Sequence, residues 1–151
     1  MIAVDVEATG TEAEKHSILS VGAVDMANPS RQFYEECRIW DGAKTEDEAF
    51  AVNGFTLQQA TDQTKQTEAD LVHKFIAWAE GCEETTFAGQ NVSFDRDFLR
   101  AAAVRAGHTA WPFAHRTIDS HTLCYMHMIK AGQTPPLKPG KKHSGLDLDA
   151  I

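Results

Sequence analysis

The sequence predicts a mixed α/β sheet flanked by helices, and three observations carry that prediction. The chain opens with three strand-like segments. Helical stripes and a further short strand follow. Its 151 residues, 42% hydrophobic and 24% charged, suit one globular domain with a single core. In Met1–Val6, Ile2, Val4 and Val6 fall on one side, with Ala3, Asp5 and Glu7 on the other, because strand side chains repeat every two residues. Ala8-Thr9-Gly10-Thr11 is a turn signal, Ile18–Met26 reads as a second, well-buried strand, and Gln32–Trp40 reads as a third. The short Asn28-Pro29-Ser30 turn between the last two predicts an antiparallel meander.

Helical periodicity takes over after Asp41-Gly42. Thr45 with Glu48 resembles a capping box, which predicts a short helix through Val52 that stops near Gly54. Thr67 with Asp70 repeats the signature ahead of an apolar stripe of Leu71, Phe75 and Trp78 that runs to Gly81. Thr85–Ala88 reads as a short strand, Phe94–Ala106 as a helix ended by Gly107, and Thr117–Lys130 as another helix. Thr134–Lys142 reads as a Pro-rich basic loop.

Composition narrows the function classes. With 14 Lys plus Arg against 22 Asp plus Glu, the formal charge is -8, so the chain is no polycationic coat for nucleic acid, and any contact with phosphate is local. No apolar run approaches the ~18 residues that span a bilayer, and the N-terminus lacks the form of a secretion signal; a soluble cytoplasmic protein without membrane contact is expected. Cys37, Cys82 and Cys124 are widely spaced, without a CxxC, and are expected to be reduced thiols. His121, Cys124 and His127 are too spread for one zinc ion, and Leu123, Met126 and Cys124 are expected to pack into the core. Trp40, Trp78 and Trp111 are expected in the core or an interface.

Asp5 and Glu7 share a strand face, so their carboxylates can point at one volume. Such a pair repels itself unless a cation lies between, and hard oxygen ligands of this kind suit Mg²⁺ or Mn²⁺. A simply solvated strand face is the plain alternative. Asp95 shares a helical face with Phe98, Leu99 and Ala102, and an acid on an apolar stripe needs a cation, a hydrogen-bond donor or a proton to offset burial. Capping by Asn91 or Ser93, with Asp95 as a first-turn acid, is the structural alternative.

Together, Asp5-Val6-Glu7-Ala8-Thr9-Gly10, Ile18–Val24 and Gly89-Gln90-Asn91-Val92-Ser93-Phe94-Asp95 with Phe98-Leu99 resemble the first two motifs of the DEDD 3′-5′ exonucleases. Within that family they are most similar to the DEDDh-type group that holds the DNA polymerase III proofreading subunit and ribonuclease T. Ala49–Thr56 is similar to the family's linker helix, Thr117–Ser120 to the segment after the second motif, and His143–Ile151 to the start of the helix before the last. The resemblance implies a ribonuclease H-like fold and two-metal hydrolysis of phosphodiester bonds at the 3′ ends of single-stranded DNA or RNA. Two Mg²⁺ or Mn²⁺ ions would be held by Asp5, bridging both, by Glu7 and by Asp95. Ala8, Thr9 and Gly10, through backbone and hydroxyl groups, with Asn91 and Phe94, would receive the terminal nucleotide. A polymerase or a second copy of the chain is the implied protein partner.

The family's last motif, His-x-Ala-x-x-Asp, supplies a general base and a fourth acid, and it is not found here. His143 has Leu148 at the fifth place after it, and Tyr125 has Ile129 at the fourth, so neither version fits. The expectation is a single exonuclease-like domain over residues 1–151 that stops short of its last motif and hydrolyses weakly by itself. The rival is a non-catalytic nucleic-acid-binding module on the same fold. A phosphatase with Asp5 as nucleophile is weaker, because the second acid is Glu and the second motif goes unexplained.

Overall fold

The computed structural model describes residues 1–134. Its centre is a five-stranded sheet in the order β3-β2-β1-β4-β5. The strands are β1 (Ile2–Ala8), β2 (Ile18–Asp25), β3 (Gln32–Glu36), β4 (Phe87–Gly89) and β5 (Thr117–Asp119). β1 to β3 form the antiparallel meander, and β1–β4 and β4–β5 pair in parallel. The helices are α1 (Asp47–Asn53), α2 (Leu57–Ala60), α3 (Glu68–Ala79), α4 (Val92–Arg105) and α5 (Ser120–Lys130).

Alternation in β1 buries Ile2, Val4, Val6 and Ala8. Against them pack Leu71, Val72, Phe75 and Ile76 of α3 and Val92, Phe98, Leu99 and Ala102 of α4. The Phe75, Phe87 and Phe113 rings close one end of this core, with Trp78 and Trp111 packed beside them. α3 begins as its sequence predicts: Thr67 Oγ1 accepts from Asp70 N, and Asp70 Oδ2 accepts in turn from Thr67 N. Glu68, buried one residue later, accepts from Ile18 N at 2.9 Å, Ser17 Oγ at 3.1 Å and Arg105 Nε at 2.9 Å. One carboxylate thus joins α3, α4 and the start of β2.

Several boundaries differ from the sequence reading, each for a tertiary reason. β3 ends at Glu36 rather than Trp40, because Arg38 N and Ile39 N turn away to donate to Gln66 O and Ala60 O. α1 is preceded by Glu46 rather than Thr45, and neither side chain caps it; Glu46 N donates instead to Thr9 O. Thr117–Asp119 forms an edge strand before α5 rather than its first turn, and Asp119 caps the helix through His121 N and Thr122 N. The expectation that Leu123, Met126 and Cys124 pack into the core fails. α5 runs on from the edge strand with no buried residue, Leu123 and Met126 are exposed, and Cys124 is half-buried. Cys37 and Cys82 are buried free thiols. The basic loop after Thr134 and the segment His143–Ile151 lie outside the described residues.

Candidate active site

Asp95 comes against β1, at the residue between Asp5 and Glu7, where β4 stops accompanying that strand. The parallel pairing of the two strands covers only Ile2 and Ala3, and Gly89 passes so near Val4 that a Cβ there would lie 2.9 Å from Val4 O. After Gly89 the chain turns through Asn91, whose φ of 54° is left-handed, and enters α4. Further along β1, Val6 N–H therefore has no β4 partner and donates to Asp95 Oδ1 at 2.7 Å. The same alternation that buries Val4 and Val6 turns Asp5 and Glu7 to the opposite face of the strand. Asp95, on the first turn of α4, is thus drawn to the residue between them.

The electrostatics record this crowding. Asp95 is only 4% exposed, and its carboxyl is pushed up to about 7, chiefly by burial and then by the charges of Asp5 and Glu7, against the lowering pull of the Val6 N–H. Glu7 is also raised, by burial and by Asp5. Hard oxygen donors whose charges oppose one another are a fitting donor set for divalent cations. Among the described residues no three acid, imidazole or thiol groups form a ready-made cage. An ion here would complete its shell with water and phosphate oxygens, as Mg²⁺ commonly does.

Beside the acids lies a cleft of about 350 Å³ lined by Glu7, Ala8, Gly10, Asn91, Phe94 and a wall from α1. Four of the five predicted substrate contacts, Ala8, Gly10, Asn91 and Phe94, therefore share it with Glu7. Thr9 does not. It is fully buried, its hydroxyl donates to Lys44 O at 2.7 Å and accepts from Ser17 N at 3.0 Å, so it braces the loop instead of offering a hydroxyl. Gly10 has a second role, since a Cβ there would fall 2.4 Å from the His16 ring. Asn91 precedes α4 but its side chain caps no helix amide, which removes the capping alternative for that residue. The sequence places Glu48 in a capping box and Ala49–Thr56 in a linker-like helix but none of Glu46, Glu48, Ala49, Val52 and Asn53 in the site, where they form the α1 wall. The available signal was the apolar and acidic mixture of the linker-like segment. Among the described residues no Lys or Arg lines the cleft.

The family model RNase T, described as an exonuclease, matches residues 2–138. Ribonuclease T of Escherichia coli strain K12 is 26% identical over 163 residues, covering 99% of this chain and 74% of that protein. Product-bound exonuclease I superposes with a TM-score of 0.70 at 20% identity, over 91% of this chain and 34% of its own. The zinc-bound complex of E. coli exonuclease I with single-stranded DNA gives 0.69 at 17% identity, over 91% and 31%. The chain thus spans about a third of the exonuclease I chains it matches. These likenesses agree with the ribonuclease H-like sheet and helices that the sequence predicts.

Proposed function

From the premise that this chain belongs to the RNase T exonuclease family, we propose that it is a metal-dependent 3′-5′ exonuclease domain acting on single-stranded DNA or RNA ends. The observation that carries the reading is the Val6 N–H bond that holds Asp95 against β1 at the residue between Asp5 and Glu7, the last of which lines a cleft. Asp5, Glu7 and Asp95 would hold two Mg²⁺ or Mn²⁺ ions, with Asp5 common to both. When bound, such ions activate water and stabilise the departing oxygen of a phosphodiester.

The chain's own groups do the rest. Val6 N–H fixes the Asp95 carboxylate. Phe94, Ala49 and Val52 give the cleft an apolar surface for a terminal base, and Ala8, Gly10 and Asn91 offer polar backbone and amide groups to the sugar and phosphate. Residues 1–151 read as one exonuclease-like domain that contains no His-x-Ala-x-x-Asp. Without that general base, hydrolysis by these residues falls by roughly 10²- to 10⁴-fold. A cytoplasmic site of action, with a polymerase or a second copy as partner, belongs to the same reading. Among the described residues no helix is long and apolar enough to cross a membrane.

The alternative reading is a binding module on the same fold without catalysis. A 5′-labelled dT oligonucleotide incubated with the chain in Mg²⁺ or Mn²⁺ separates the two. Slow shortening from the 3′ end that Asp5→Ala abolishes supports the nuclease. Binding without shortening, retained in Asp5→Ala, supports the module.

A further inference from the structure

α1 forms one wall of the cleft, yet none of its residues is buried, so apolar packing does not fix its place. Polar ties hold it at both ends. Glu46 N donates to Thr9 O at 2.8 Å, Lys44 N to Lys15 O at 2.8 Å, and Asn53 Nδ2 to Ala8 O at 3.0 Å. One further tie joins two side chains: His16 Nε2 lies 3.4 Å from Glu46 Oε1.

His16 is an unusual anchor. It is 3% exposed, and its ring fills the space above Gly10 that any Cβ would need. His16 Nδ1 lies 3.0 Å from both Glu12 N and Glu12 O; with the Glu12 N–H donating to it, the ring proton sits on Nε2, the atom facing Glu46. A rigid, buried donor is thus aimed at a half-exposed carboxylate that lines the cleft and immediately precedes α1. We propose that His16, acting through Glu46, is a positioning residue: it fixes the α1 wall and thereby sets the affinity of the cleft for the terminal nucleotide. The inference rests on the exonuclease reading of the cleft.

The test is titration calorimetry with deoxythymidine 5′-monophosphate in Mg²⁺, on the wild-type chain and on His16→Phe, Glu46→Ala, Glu46→Gln and the His16→Phe/Glu46→Ala pair. Phe keeps the ring over Gly10 and removes the donor; Gln keeps an acceptor oxygen. Expected is a loss of affinity of about tenfold in His16→Phe and in Glu46→Ala, less than about twofold in Glu46→Gln, and no further loss in the pair, because both singles break one contact. Glu46 side chains are 37% exposed, so the Glu46 variants should melt as wild type does and carry the test if His16→Phe does not fold. In Glu46→Ala without nucleotide, α1 amides should exchange hydrogen faster, which a residue that only touches ligand would not cause. Wild-type affinity in Glu46→Ala, or its weakening with unchanged α1 exchange, overturns the inference and leaves the exonuclease reading standing. No binding by the wild-type chain removes that reading and the inference with it.

Discussion

Asp95 shows how one side chain ties fold to chemistry. Its carboxyl is held up at about 7 by burial and by two neighbouring acids, whereas an unfolded chain would release the proton near 3.8. Between those values the folded state holds a proton that the unfolded state has lost, so without metal this group lowers stability as pH rises from about 4 to about 7. Melting in chelator across that window should fall more steeply for wild type than for Asp95→Asn, which carries no titrating proton; equal slopes would contradict the assignment. Divalent cations should reverse the trend, since they favour the ionised form. The sequence made Asp95 legible as an acid that needed a partner, because it lies on the Phe98–Leu99 stripe. It could not show that the partner is Val6 N–H, since that depends on where β4 stops. Thr9 was misread for a related reason: a hydroxyl in a turn looks available until Lys44 and Ser17 are folded against it.

At the level of elements, local signals succeeded where local forces decide. The Thr67–Asp70 capping box is reciprocal in the structure, and Thr67→Ala should cost about 1 kcal/mol by urea denaturation. Thr56 and Gln59 form a second box on α2, a helix of four residues that the sequence reading passed over because it is shorter than any periodic stripe. The start of α1 and the strand at Thr117–Asp119, which the sequence reads as the first turn of a helix, are set by long-range backbone bonds, Glu46 N to Thr9 O in one case and pairing with β4 in the other. The Glu68–Arg105 pair was not foreseen, since nothing local marks residues 37 apart as partners. Arg105→Ala should cost about 3 kcal/mol, because it leaves Glu68 buried with its charge uncompensated. Glu68→Gln, which removes that charge while keeping an acceptor for Ile18 N, should cost less, and the two unfolding midpoints give the comparison.

For the molecule as a whole, a cleft lined by acids meets a polyanion through cations that mediate the contact. Binding of a dT oligonucleotide should require Mg²⁺ or Mn²⁺ and vanish in chelator. Since no Lys or Arg among the described residues lines the cleft, the dependence of affinity on monovalent salt should be shallow, with a log–log slope of about -1 or less in magnitude. A steep slope would place the phosphate contacts elsewhere. The global fold was legible because alternation, stripes and turns agree with one another; the cleft was only half legible, because its second wall comes from a helix that buries nothing. The bond between Val6 and Asp95 has one more consequence. A backbone amide within the strand reports directly on a carboxylate of the proposed metal site, so its proton resonance in a nitrogen-labelled sample should move downfield as that carboxylate ionises and shift again when an ion displaces the charge. The protein carries its own indicator, readable without dye, substrate or turnover.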